Sequence, residues 1–125
     1  MGFQPEHFVC WAEIPVTDMA AGMAFYSAVT GADLELDTSG PNPMANLRPK
    51  DMNNGVGGHL YPGKPAARGE GPTIHLVAEG RLEDTIERVK AAGGQVVSPP
   101  ITIPPGRFFY AIDPFGNSVG FFERR

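Results

Sequence analysis

Cysteine is almost absent from this chain of 125 residues, which contains one, Cys10. A single cysteine cannot form an internal disulfide, so the fold is not a disulfide framework. Because Cys10 lies in an apolar stretch, we expect it to be a small core residue. Basic residues are also few, with 10 Lys plus Arg against 14 Asp plus Glu and a formal net charge of −4. They are scattered and form no stripe, which argues against nucleic acid as a partner.

Long apolar runs are missing as well. No run approaches the roughly 20 residues that a membrane-spanning helix needs. The first residues, MGFQPEHF, lack the basic start and apolar centre of a secretion signal. These features predict a cytoplasmic protein with no membrane partner. What the chain does contain is 42% hydrophobic residues with 16 Gly and 13 Pro. That composition is typical of one packed, loop-rich domain.

The first apolar stretch alternates with a period of two, which predicts a strand over residues 8–16. One face is uniformly apolar and is formed by Phe8, Cys10, Ala12, Ile14 and Val16. The other face carries Trp11 and a carboxylate, Glu13. Since an unpaired charge in a strand of this kind is costly to bury, we expect Glu13 to have a partner or to face a cleft.

A helix follows, because Asp18 is a good N-cap and Gly31 a good residue to end a helix. Short strands are predicted at ADLELD, MANLRPK and NGVGGHLY, and then comes a linker rich in Gly and Pro. The second half repeats this order, with a strand at TIHLVAE, an amphipathic helix at RLEDTIERVKAAGG and strands at QVVSPP, RFFYAID and SVGFFER.

The two glycines that end the predicted helices, Gly31 and Gly93, lie 62 residues apart. Shifting the sequence by this distance places strand on strand and helix on helix. The chain therefore looks like two copies of a β-α-β-β-β unit. We predict an α+β fold with a first module at about 6–62, a linker at about 62–71 and a second module at about 72–125.

The segments IPVTD, AFYSAVTGADLE, LEDTIERVKAAGGQVVSP and DPFGNSVGFFE, in this order, resemble the vicinal oxygen chelate superfamily. That superfamily includes glyoxalase I, bleomycin-resistance proteins and extradiol dioxygenases. The resemblance covers nearly the whole chain. It implies paired curved mixed sheets that enclose a cleft, helices outside, a divalent metal near the cleft and a homodimer.

The metal site implied by this resemblance lacks its usual ligands. Metal-dependent members offer His or Gln early in the first strand of each module and Glu or His in each last strand. The matching positions here are Trp11, Gly58, Thr73 and Gly120. Because none is a good metal ligand, we predict no metal at the inherited position and no firm cofactor. Glyoxalase I activity is not expected, since that chemistry relies on a metal.

The shift of 62 residues places Glu13 on His75, and both then face the cleft. As catalytic candidates, the two could relay a proton, hold a substrate hydroxyl or amine, or supply two ligands of a relocated divalent metal with His59 or solvent as a third. The alternative is that Glu13 and His75 satisfy one another for structural reasons alone. His59 is expected to point away from the cleft unless Gly57 and Gly58 bulge the strand.

Five ligand-binding candidates lie near the predicted cleft, namely Trp11, Phe122, His59, Tyr110 and Arg107. Trp11 and Phe122 could form an aromatic wall for a planar or apolar ligand, or fill the space of a lost metal. Tyr110 and Arg107 could bind a phenol or a carboxylate, or lie on the solvated surface.

Three functions remain open. The first is binding of a small organic molecule in the cleft without chemistry. The second is a lyase or isomerase that uses Glu13 and His75. The third is a purely structural or interaction domain, which is favoured only if side chains fill the cleft.

Overall fold

The computed structural model describes residues 2–125 and has two mixed sheets with two helices. This arrangement confirms the α+β class. The elements of the first half are β1 (Trp11–Val16), α1 (Met19–Thr30), β2 (Glu35–Asp37), β3 (Met44–Leu47) and β4 (Gly57–Pro62). Their strands form the first sheet in the order β1-β4-β3-β2. In it β1 and β4 run parallel, whereas β3 is antiparallel to both of its neighbours.

The second half contains one strand more than the repeat predicts. Its elements are β5 (Ile74–Val77), α2 (Leu82–Ala91), β6 (Gln95–Val96), β7 (Ile101–Ile103), β8 (Gly106–Ile112) and β9 (Ser118–Arg124). The sheet order is β5-β9-β8-β6, and β7 forms a further antiparallel pair with β8. Pro104 and Pro105 make the turn between β7 and β8. The parallel pair β5-β9 corresponds to the parallel pair β1-β4 of the first sheet.

Both ends of α1 are built by the residues that the sequence indicates. The Asp18 carboxylate accepts a hydrogen bond from the Ala21 backbone N–H at 3.0 Å. Gly31 adopts the left-handed region with φ 84°, and its N–H donates to the Ser27 carbonyl. In the first turn of α1, Gly22 lies against Val16, where an added Cβ would be 3.1 Å from the valine methyls. The helix therefore packs closely on its sheet.

The core lies between the helices and one face of each sheet, and α1 also packs against α2. Ile14, Val16 and Leu60 are buried there, as the alternation in the first strand predicts. The prediction was wrong at the start of that strand. Phe8 is 78% exposed, Cys10 is exposed, and β1 begins only at Trp11. Residues before Trp11 have no ladder partner in β4, so nothing holds their apolar side chains against α1.

A buried polar cluster joins the two halves of the chain. The Tyr26 hydroxyl of α1 donates to the Asp113 carboxylate at 2.7 Å, and Asp113 is 1% exposed. The Asn117 amide donates to Asp113 and to the Pro15 carbonyl of β1, at 2.8 and 2.7 Å. Burial, together with the Asp113 carboxylate, raises the pKa of Tyr26 well above its ordinary value. The turn before β9 is thereby fixed to both α1 and β1.

Within residues 2–125, neither helix has the length and apolar character needed to cross a bilayer.

Candidate functional site

Each sheet has a second face, opposite the core, that we call its open face. On the first sheet the open face carries Trp11 and Glu13 of β1. In the parallel pairing, Glu13 lies beside His59 of β4 and Pro15 lies beside Tyr61. Directly paired residues project to the same side of a sheet. His59 and Tyr61 therefore belong to the open face together with Trp11 and Glu13.

Three of these side chains form a chain of polar contacts. The Trp11 indole Nε1 donates to Nδ1 of His59 at 2.9 Å. The other ring nitrogen of His59, Nε2, lies 3.3 Å from the Glu13 carboxylate. An indole N–H can only donate, so Nδ1 of His59 is the acceptor in this hydrogen bond. His59 thus accepts from Trp11 through one ring nitrogen and faces the Glu13 carboxylate with the other.

Burial differs along this chain of contacts. The His59 side chain is only 10% exposed, whereas the Glu13 side chain is 67% exposed. Trp11 is 40% exposed. Solvent or a ligand can therefore reach the carboxylate and one side of the indole, while the imidazole that connects them is shielded.

This arrangement corrects two expectations about the first module. His59 does not point away from Trp11 and Glu13, and the partner of Glu13 is His59 rather than His75. The error came from taking Gly58 as the counterpart of Gly120. Glu13 pairs with His59 in the first sheet, and His75 pairs with Gly120 in the second. The structural counterpart of Gly120 is therefore His59, one residue later than expected.

The open face of the second sheet is aromatic. His75 of β5 lies edge to face with Phe108 and with Tyr110 of β8, at ring-centre distances of 5.1 and 5.6 Å. Phe108 also stacks on Phe122 of β9, with the ring planes 5° apart and the centres 6.0 Å apart. Sequence reasoning selected Phe122 and Tyr110 but missed Phe108. The alternation in RFFYA places residues 108 and 110 on one side of a strand and could have found it.

The imidazole of His75 occupies the space above Gly120. A Cβ added at Gly120 would overlap the His75 ring, so any larger residue there forces the ring to move. The glycine thus allows His75 to lie across β9 and reach the aromatic group. Burial lowers the pKa of His75 below its ordinary value, because the ring gives up solvent on the side that faces its neighbours.

The inherited metal positions do not fit a metal ion. With the corrected register they are Trp11, His59, Thr73 and Gly120. Only His59 has a donor atom suited to a metal, and its Nδ1 is already bonded to Trp11. The Thr73 hydroxyl is hydrogen-bonded to the Ser118 hydroxyl at 2.5 Å. Across the described part of the chain, no three His, Cys, Asp or Glu side chains are grouped to hold a metal.

Arg107 lies on the opposite side of the second sheet from Phe108 and Tyr110. Its guanidinium donates two hydrogen bonds to the Glu83 carboxylate of α2, at 2.7 and 3.0 Å. Its Nε also donates to Glu123 of β9 at 3.1 Å. With two carboxylates on one guanidinium, the donors are engaged within the protein. Arg107 therefore connects α2 to the sheet and is not placed with the open-face residues.

Glu13 and His75, the pair selected as acid and base, have different partners. Glu13 contacts His59, and His75 contacts Phe108 and Tyr110. Glu13 also borders a cavity of about 160 Å³ between the sheets. Ile74 of β5 and Glu70 of the linker line the same cavity. A larger cavity of about 310 Å³ lies at the far end of β8 and β9, near Arg107 and away from these groups.

Comparison with known proteins adds a family and a fold. The family model described as the glyoxalase/bleomycin resistance protein/dioxygenase superfamily matches residues 5–121. A search of curated proteins found no match.

Several solved structures have a similar fold. A glyoxalase/bleomycin resistance protein from Albidiferax ferrireducens T118 has a TM-score of 0.69 and 20% identity, with 92% of this chain and 98% of that chain covered. The genomically encoded fosfomycin resistance protein FosX from Listeria monocytogenes has a TM-score of 0.67 and 15% identity, with 98% and 94% covered. A glyoxalase/bleomycin resistance protein from Streptomyces sp. CB03234 has a TM-score of 0.62 and 24% identity, with 91% and 98% covered. At these identities the likeness concerns the fold alone.

Proposed function

The chain belongs to the glyoxalase/bleomycin resistance protein/dioxygenase superfamily, and from that premise we propose that it binds a small organic molecule through its open faces without a metal. The observation that carries this proposal is the hydrogen bond from Trp11 to His59. It engages one ring nitrogen of His59, the one metal-binding side chain at the inherited metal positions, and joins Trp11 and His59 into one aromatic surface.

The first open face suits a flat ligand that can donate a hydrogen bond. Trp11 offers an exposed indole surface, and flat apolar molecules stack on such rings. Glu13 lies on the same face with its carboxylate two-thirds exposed. Only one side of this carboxylate is directed to His59, so a ligand hydroxyl or amine can be accepted by the remaining oxygen. The face thus combines one stacking surface with one hydrogen-bond acceptor.

The second open face offers a wider aromatic surface. Phe108, Tyr110 and Phe122 are in mutual contact, and His75 extends this group. Pockets for organic ligands are mostly apolar with a few placed polar groups. Burial lowers the pKa of His75, which favours the uncharged ring, and the ring adds hydrogen-bonding capacity to this face. These features favour a neutral aromatic ligand over an anion.

We further propose a homodimer in which a second copy covers the second open face. Val77 is 51% exposed, Val97 48% and Tyr110 36%, and all three lie beside the aromatic group. A group of neighbouring exposed apolar side chains is typical of a protein–protein interface. In the described residues, no ring contact joins the open face of one sheet to that of the other. A second copy would supply the missing wall.

The binding proposal is tested by a thermal-shift screen of flat aromatic compounds against chelator-treated protein. A compound that binds only the folded state must raise the melting temperature. The fluorescence of Trp11, the single tryptophan, then reports whether a hit lies beside it. We expect Trp11→Ala and Phe122→Ala to weaken binding of a hit by roughly tenfold or more, in line with loss of an aromatic contact.

Leu36→Ala is the matched control, because Leu36 is 52% exposed and lies on the opposite side of the first sheet. It should leave binding unchanged. A hit whose affinity is the same in the wild type, Trp11→Ala and Phe122→Ala would remove the open faces from the site and contradict the proposal. The lyase or isomerase alternative is not carried further, because Glu13 and His75 have different partners in this structure.

A further inference from the structure

Asn54 is the one asparagine of this chain that a glycine follows, and both residues lie exposed in the loop between β3 and β4. A backbone N–H that follows an asparagine can attack the side-chain amide. Glycine hinders this attack least, because it has no Cβ and moves freely. We propose that Asn54 is a site of spontaneous deamidation, and that Asp51 sets the rate by holding both groups that react.

The other asparagines are less suited to this reaction. Asn42 precedes a proline, which has no backbone N–H to attack with. Asn46 lies within β3, where its backbone is held in the sheet. The Asn117 side-chain amide is bonded to Asp113 and to a backbone carbonyl of β1. Asn53 is exposed, but the residue that follows it is Asn54, whose side chain obstructs the approach.

The reaction needs water as its only partner. The Gly55 nitrogen bonds to the side-chain carbonyl carbon of Asn54, and the bond from that carbon to the amide nitrogen breaks. Ammonia leaves with the hydrogen of the Gly55 N–H, and a succinimide ring remains. Water then opens one of the two C–N bonds of the ring, which leaves aspartate or isoaspartate. Each product carries a carboxylate at neutral pH in place of a neutral amide.

Asp51 contacts both groups that must meet. Its backbone carbonyl accepts the Gly55 N–H at 2.7 Å. Its carboxylate accepts the Asn54 side-chain amide at 3.0 Å and the Asn53 backbone N–H at 2.9 Å. The attacking nitrogen is thus engaged with one oxygen and the amide under attack with another. Local opening must break both bonds before the two groups can react.

The carboxylate of Asp51 is well suited to this role. Hydrogen bonds from the Asn53 backbone and the Asn54 side chain lower the pKa of Asp51 below its ordinary value of 3.8. An ionised carboxylate can only accept hydrogen bonds. Asp51 therefore holds the Asn54 amide under the neutral and mildly alkaline conditions in which deamidation proceeds.

The loop that contains Asn54 adjoins the first open face. Nε2 of His7 lies 3.2 Å from the Asn54 carbonyl oxygen, so the loop contacts the segment that leads into β1. Gly57, shortly after Asn54, begins β4 and pairs with Trp11. In isoaspartate the main chain runs through the former side chain and is one carbon longer, and the oxygen near His7 becomes part of a free carboxylate. Modification therefore disturbs the backbone on both sides of Trp11.

The test is the rate at which the folded protein is modified in mildly alkaline buffer. Samples taken at intervals are digested, and mass spectrometry locates the replacement of an amide by a carboxyl group. Asp51→Ala removes the hold on the Asn54 side chain, whereas Asp51→Asn keeps an acceptor oxygen in its place. Asp37→Ala is the matched control, because the Asp37 carboxylate accepts two hydrogen bonds from Ser39 in a different exposed turn.

We expect the wild type to be modified at Asn54 before any other asparagine. Asp51→Ala should react roughly fivefold faster, as for loss of one hydrogen bond, and Asp51→Asn should lie between the two. Asp37→Ala should match the wild type. Equal rates in the wild type and Asp51→Ala overturn the role of Asp51. Modification spread evenly over Asn53 and Asn54, or absent from Asn54 in every protein, overturns the site itself.

A second measurement tests the consequence for the fold. Asn54→Asp introduces the charge without the longer main chain. Wild-type protein aged until Asn54 is converted should therefore melt at a lower temperature than fresh Asn54→Asp, in proportion to its content of isoaspartate. Equal melting temperatures would contradict the disturbance of the backbone beside Trp11. None of these readouts needs a ligand, so they stand or fall separately from the proposed function.

Discussion

At the scale of single residues, Gly120 and His75 show how one missing side chain shapes the second open face. The imidazole lies where a side chain at position 120 would begin. In the register of the parallel pair, the same location in the first sheet is held by His59. In the first sheet, this position belongs to β4 and is His59 itself. In the second sheet, it belongs to β9 and is Gly120, and the ring of His75 from the neighbouring strand β5 lies over it.

We expect Gly120→Ala to destabilise the protein by about 1–3 kcal/mol, because an added methyl group overlaps the His75 ring and overpacking costs energy of this size. His75→Ala should relieve the overlap, so the double variant should be no less stable than His75→Ala alone. Urea unfolding of the four proteins measures this coupling. Gly40→Ala is the control, since a Cβ there meets nothing within 4 Å. Strictly additive effects would contradict the packing described.

Side chains alternate between the two faces of a strand, and this alternation explains which site residues the sequence could place on the correct face. Trp11 and Glu13 were placed on one face correctly because the alternation in β1 is unbroken. His59 was misplaced because its strand begins with Gly57 and Gly58, which have no side chains to mark a face. Only the pairing with β1, a contact between residues far apart in the sequence, decides the side on which His59 lies.

At the scale of elements, the turn before β9 is fixed by the carboxylate of Asp113, which accepts hydrogen bonds from two backbone N–H groups, from Asn117 and from Tyr26. The sequence indicated the turn through the letters DPFGN. It gave no sign that Tyr26, 87 residues away, would donate to it. Long-range polar contacts of this kind have no local pattern, so helices and turns are predictable while their connections are not.

We expect Tyr26→Phe to lower the free energy of unfolding by about 1–3 kcal/mol, because the Asp113 carboxylate, which is 1% exposed, loses a hydrogen-bond donor. Chemical denaturation at neutral pH measures the loss. Tyr61→Phe serves as the control, since Tyr61 is a half-buried residue of the open face rather than of this cluster. Equal effects of the two substitutions would argue against a special role for the Tyr26 hydroxyl.

The attachment of α2 to the second sheet should depend on pH. Hydrogen bonds from Arg107 lower the pKa of Glu83 from its ordinary 4.5 to about 2. A carboxyl group whose pKa is lower in the folded state contributes stability above its ordinary pKa and loses it as the pH falls toward the lowered value. The Glu83–Arg107 contribution is therefore full above about pH 5 and declines toward about pH 2.

Glu83→Gln should accordingly be less stable than the wild type near pH 7, and the difference should shrink as the pH approaches about 2. Thermal unfolding across this range gives the comparison. Glu87→Gln is the control on the same helix, because Glu87 pairs with Lys90 at 3.8 Å and not with Arg107. A difference between wild type and Glu83→Gln that does not vary with pH would show that the pair contributes nothing through its charge.

At the scale of the whole molecule, the sequence predicts the duplicated order of strands and helices, but not every strand of the second sheet. The repeat of strand and helix predicted two equivalent modules, and both contain a parallel pair of first and last strands. The extra strand β7 was missed, because Ile101–Ile103 is only three residues long and ends at two prolines. Short strands carry too little pattern to be distinguished from loops.

The proposed homodimer gives a prediction at this scale. Val77→Glu places a charge in the exposed apolar surface of the second sheet, and a buried unpaired charge in an interface is costly. We expect this substitution to shift the protein from dimer to monomer in sedimentation velocity with its fold intact. Leu36→Glu, on another exposed surface, should leave the dimer in place. A wild-type protein that sediments as a monomer at all concentrations would contradict the proposal.

The central claim, that this member of the superfamily binds an organic ligand without a metal, is tested most directly by titration calorimetry with one compound under two conditions. The strongest hit of the screen is titrated into chelator-treated protein and into protein supplied with Zn²⁺, Ni²⁺, Mn²⁺, Fe²⁺ or Mg²⁺. Equal dissociation constants in all samples are expected, because the inherited metal positions provide one metal-binding side chain, His59, and a protein metal site needs three or four. Binding that appears only with one of the metals would contradict the account.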